Sequence, residues 1–170
     1  MERKQYVMDV ANFIARYSPT DEPHIAFDWN QKYAAELQDA NLEFRRAVIQ
    51  EVLVRPEAAS VELLRALVDA ETALANEAWG TTLWVHTLAE QMLIRGGIEY
   101  VKDFLVFWYR GMDAHLELSR ISIPPELNAT FEAHCAQQLA VGQTPQDRLL
   151  YEQGVRLFAA LTTRPGGKAG

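Results

Sequence analysis

A single cysteine in 170 residues, Cys135, leaves no internal disulfide to staple the fold and suits a reducing compartment. No run approaches the roughly 18 apolar residues of a membrane-spanning helix. The longest aromatic-rich run, "FLVFWY" at 104–109, stops after six residues. The N-terminal "MERKQYVMDVANFIARY" has no unbroken apolar core for a signal peptide, because Asp9 interrupts it. The expected setting is therefore the cytoplasm, with no membrane contact. Recognisable catalytic patterns are missing too: there is no Walker loop, dinucleotide fingerprint, zinc spacing or Ser/His/Asp arrangement. No catalytic residue, metal or cofactor is implied.

Clustered positive charge is equally scarce. Sixteen Lys and Arg face 23 Asp and Glu, for a net charge of −7, and the only adjacent basic pairs are Arg3–Lys4 and Arg45–Arg46. Affinity for phosphate backbones comes from clustered cations that release counterions, so nucleic acid is excluded as a partner. An acidic balance instead favours encounter with a basic protein.

What the chain does have is apolar residues, 49% of the total, enough for a packed interior. At this length one domain is expected over 1–163, with "RPGGKAG" at 164–170 as a loose tail. The apolar period is helical nearly throughout, which predicts an all-α fold of seven or eight helices, either a bundle or a short irregular solenoid. Residues 3–17 carry Tyr6, Val7, Val10, Phe13, Ile14 and Tyr17 on one face. "SPTDEP" at 18–23 breaks the chain. From Ile25 to Val54 the period continues, and "QDAN" at 38–41 splits it into two helices, the second ended by Pro56. Ser60 caps a helix that runs to about Trp79–Gly80, and another spans Thr82 to Arg95. A less regular segment follows at 111–123, where "RISIP" is the one candidate strand. Pro124–Pro125 opens the next helix, and Thr144 caps the last.

In the aromatic run, Tyr100, Val101, Phe104, Leu105, Phe107 and Trp108 cover about half a helical wheel, opposite Glu99, Lys102, Asp103 and Arg110. The preceding helix has an equally broad face through Trp84, Val85, Leu88, Ala89, Met92 and Leu93. Joined by Gly96–Gly97, the two are expected as a central antiparallel hairpin over 82–110, with its rings inside.

Glu71 is the anomaly. On its helix it falls at about 80°, between Leu67 and Leu64, within the apolar stripe. A buried carboxylate must be paired or protonated, so Glu71 is expected either to bond an arginine, Arg95 or Arg110, or to serve a ligand. His86/Glu90 and His24/Asp28 stand four apart but match no metal pattern. Cys135 beside His134 points about 100° away from it, towards the apolar side, as a buried thiol. Gly154 on an apolar face suggests close helix approach.

Three functions follow. The chain is expected to be a protein-interaction module, for instance an inhibitor or immunity-type binder of a basic partner. The alternative is a small-molecule or enzymatic bundle, with Glu71, Trp79, Trp84 and Trp108 lining an apolar pocket. A homo-oligomer would bury an outer patch through Phe13, Ile14 and Tyr17.

Overall fold

The computed structural model describes residues 9–78, 84–141 and 144–163. Its eight α-helices are α1 (Val10–Arg16), α2 (Leu42–Val54), α3 (Val61–Ala78), α4 (Val85–Gly96), α5 (Val101–Trp108), α6 (Met112–Leu118), α7 (Pro125–Ala140) and α8 (Pro145–Thr163). Short 3-10 turns fill Pro19–His24, Ala34–Glu36, Pro56–Ala58 and Gly97–Tyr100. The fold is all-α, with no strand among the described residues, "RISIP" included. The first eight residues, the end of the Ser60-capped helix at Trp79–Gly80, the start of the next at Thr82, and the expected tail lie outside them.

The helix ends follow side-chain chemistry. Asp9 accepts from the Ala11 amide at 3.1 Å, Ser60 Oγ from Leu63 at 3.1 Å, and Thr144 Oγ1 from Asp147 at 3.1 Å, each satisfying a first-turn N–H. Asp147 turns its own carboxylate to Lys102 at 2.9 Å. Pro125 occupies the first turn of α7, where its missing N–H costs nothing. Gly97, at φ 65°, closes α4 with a positive-φ backbone that side chains resist.

One core cluster runs from Phe13 on α1 to Phe158 on α8. Phe104 (0% exposed), Phe107 (2%) and Trp108 (6%) lie inside it, as their wheel position requires. The helices at 82–110 pair differently from a simple hairpin. Gly97–Tyr100 winds into a 3-10 turn, so α4 lies along α3 while α5 packs against α8, α3 and α6. The longest helix pairing is α7 along α8. A Cβ on Gly154 of α8 would stand 2.8 Å from Cys135 Sγ on α7 and 2.8 Å from Leu105 on α5, so glycine permits that three-helix approach.

Three expectations are corrected. No α-helix forms between Ile25 and "QDAN": residues 25–41 make a looped strap with a single antiparallel bridge, Trp29 to Asp39, and one short 3-10 turn. Its Asn and Asp side chains take the backbone groups that a helix would use. Asn30 Oδ1 accepts from Lys32 and Gln38, Asn30 Nδ2 donates to the Glu36 carbonyl, and Asp39 Oδ1 accepts from Asp28 and Asn41. Second, the irregular stretch after Gly111 holds α6, which buries Ala114 and Leu118. Third, Phe13 and Ile14 are core residues, with Phe13 edge-on to Phe44 at 5.1 Å, and form no outer patch.

Candidate functional site

Glu71 sits where the α3 stripe puts it, fully buried, but its partner is neither expected arginine. Arg45 of α2, also 0% exposed, donates from Nε to Glu71 Oε1 at 2.5 Å and from Nη2 to Asp39 Oδ2 at 2.6 Å. Nη1 reaches the Ile25 carbonyl at 3.2 Å. Arg95 instead caps the carbonyls of Pro56 and Ala59, and Arg110 bonds Asp69 and Thr72. Arg45 had its own sequence signal: with Val48, Ile49 and Val52 it forms an i, i+3, i+4, i+7 stripe. Two opposite charges lying in two apolar stripes are natural partners, because each removes the other's burial cost.

The clamp fixes the strap above it. Arg45 and Asp39 hold its two ends, and Asn41 Nδ2 donates to the carbonyls of Pro23 and Ala26, both at 2.9 Å. The strap displays Phe27, Trp29 and Tyr33, with ring centroids 6.2 Å apart for the first pair and 5.0 Å for the second. Tyr33 is 62% exposed.

The expected tryptophan pocket is placed as follows. Trp108 is buried and donates Nε1–H to Ser119 Oγ at 2.9 Å, with the His115 ring 4.2 Å away. Trp84 is 56% exposed at the start of α4 and holds φ 78°, a left-handed conformation rare for a large side chain. Trp79 lies outside the described residues. None of the three cavities described here has Glu71, Trp84 or Trp108 in its wall. One of about 190 Å³ lies between α3 and the strap, one of about 290 Å³ between the end of α3 and Gly111–Ala114, and an open one of about 480 Å³ between Ile98 and α7.

The histidines and cysteine find separate settings. His86 Nδ1 meets Glu117 Oε1 at 2.6 Å, and Glu117 Oε2 also takes Arg120 at 3.0 Å. Glu90 accepts instead from the Ser122 amide. The Cys135 thiol is pushed up to about 12 by burial, so it carries almost no thiolate at neutral pH. The His134 ring packs edge-on to Tyr151. Among the described residues no group of three or more His, Cys, Asp or Glu comes together to hold a metal. No described helix is long and apolar enough to cross a membrane.

Among the described residues, one gathering of carboxylates was not legible as a unit in the sequence. It is assembled from the 19–24 turn, α3 and the start of α5. Arg65 bonds Asp103 at 3.0 Å and reaches Glu22 at 3.9 Å. Glu62 accepts from the Tyr100 hydroxyl at 3.4 Å. Burial, then the field of Glu22, with Asp21 and Glu62 adding to it, pushes the Tyr17 hydroxyl up to about 12. Burial, Glu62, Glu99 and Asp103 raise Tyr100 as well. Asp21, Glu22 and Glu62 thus lie near Tyr17, and Glu62, Glu99 and Asp103 near Tyr100, a local excess of carboxylates that Arg65 answers only in part.

Comparison with known proteins finds no family model, no curated protein and no solved structure that matches this chain.

Proposed function

We propose that the chain is a protein-interaction module that docks a basic partner on the negative face formed by the 19–24 turn, α3 and α5. The supporting observation is that Glu22 and Asp103 share Arg65 while Glu62 meets the Tyr100 hydroxyl, which gathers these carboxylates beside the partly exposed Tyr17 and Tyr100. Negative potential steers a basic protein to the surface, and tyrosine rings supply contact area at low conformational cost. A binder that blocks a basic enzyme, in the manner of an inhibitor or immunity protein, fits the charge and the size. A cytoplasmic setting agrees with the lone buried thiol.

The reading is tested by reversing exposed charge. Glu62→Lys with Glu99→Lys changes two exposed positions outside the core. Capture of partner from a lysate of the source organism at low salt should fall by about tenfold or more. The melting temperature should move little. Equal capture by both forms rules the face out.

A further inference from the structure

The cavity between α3 and the strap has features that the broader face lacks. Ala66, Ala70 and Ala73, at i, i+4 and i+7, form a floor of methyl groups, Phe27 supplies a wall, and Glu22 and Asp69 stand at the rim. At about 190 Å³ it is smaller than the ~300–1,000 Å³ of small-molecule sites and suits one long side chain. The rim charges are unequally matched. Asp69 is held by Arg110 at 2.6 Å, whereas Glu22 has Arg65 only at 3.9 Å, because Arg65 gives its short bond to Asp103. Glu22 therefore holds its cation more loosely than Asp69 does, and an incoming guanidinium can compete for it.

Phe27 is tied into the strap by its neighbours. Its ring stacks on Trp29 with 16° between planes, and the carbonyls on its N-terminal side are tied to Arg45 and Asn41. The buried clamp thus keeps this wall upright. An alkyl stem would lie on the alanine methyls, and a planar cation would meet an aromatic ring and a carboxylate in the same lining. Guanidinium suits that pairing better than ammonium, being flat, weakly hydrated and able to bond a carboxylate twice.

Resting on the reading of the acidic face as the docking surface, we infer that this slot receives an arginine side chain of the basic partner, its guanidinium between Glu22 and Phe27. Glu22 belongs to both the slot and the face, so one partner segment can engage them together.

The test uses N-acetyl-arginine-amide as probe and the neutral isostere N-acetyl-citrulline-amide as control, titrated into the full chain by heteronuclear NMR. The arginine probe should shift the amides of Phe27, Ala66, Ala70 and Ala73, and citrulline should bind about fivefold or more weakly. Ala73→Leu, which fills the slot, and Glu22→Gln, which discharges its rim without added bulk, should each abolish the shifts. Absence of shifts in the native chain, equal binding of citrulline, or native-like binding by Glu22→Gln overturns the proposal. Partner capture separates it from the reading beneath it. If Glu62→Lys/Glu99→Lys loses the partner while Ala73→Leu and Glu22→Gln keep it, the face stands and the slot is wrong. If all three keep the partner, both fall.

Discussion

Replacing Arg45 by methionine is expected to lower the stability of the chain by about 3–5 kcal/mol, a large share of the ~5–15 kcal/mol that holds a typical domain together. The guanidinium is wholly buried and serves two carboxylates and the carbonyls of Ile25 and Ala26 at once. Methionine fills much of its volume but leaves Glu71 and Asp39 in the interior without their cation. A denaturant titration followed by circular dichroism reads the loss, and hydrogen exchange across 27–39 should accelerate because the strap is released. Neutralising the whole cluster is a different matter. Arg45→Met with Glu71→Leu and Asp39→Asn removes all three charges, and Asn keeps an oxygen for the Asp28 and Asn41 amides. Most of the lost stability should return, since well-packed neutral groups often equal a buried ion cluster. A midpoint unchanged in the single variant contradicts the clamp.

The second large effect is expected at Phe104. Its ring is fully buried on α5, 6.1 Å from Phe158 of α8, which in turn meets Phe131 of α7 edge-on at 5.4 Å. Phe104→Ala opens a hole where α5 and the α7–α8 pair converge, at a cost of about 3–5 kcal/mol. Val106→Ala, on the same helix but 37% exposed, should stay within about 1 kcal/mol. The contrast is read by equilibrium unfolding of both variants. Similar losses at the two positions would mean that α5 is not seated as described.

Much of the fold was legible because the local signals agree with one another. Ser60, Thr144 and Pro125 each announce a helix start by chemistry that acts within one turn, and the apolar stripes of α3, α4 and α5 predict which residues are buried. The strap was misread because Trp29, Tyr33 and Leu37 keep a helical period although Asn30 and Asp39 claim the backbone. Periodicity reports the apolar side of a segment and is silent on competition for its amides. Glu71 is legible as buried from its own stripe, whereas its mate Arg45 lies in a second apolar stripe, on α2, and nothing local to either residue pairs the two. The acidic face escaped entirely: Glu22, Glu62 and Asp103 are brought together by packing, and nothing local to any of them records it.

Oxidative footprinting of the chain bound to its captured partner tests the central claim most directly. Protection should appear at Tyr17, Phe27 and Tyr100, with Tyr109, Met112 and Trp84 reacting as in the free chain. Protection of Tyr109, Met112 and Trp84, with Tyr17, Phe27 and Tyr100 left open, would put the partner elsewhere and contradict the account.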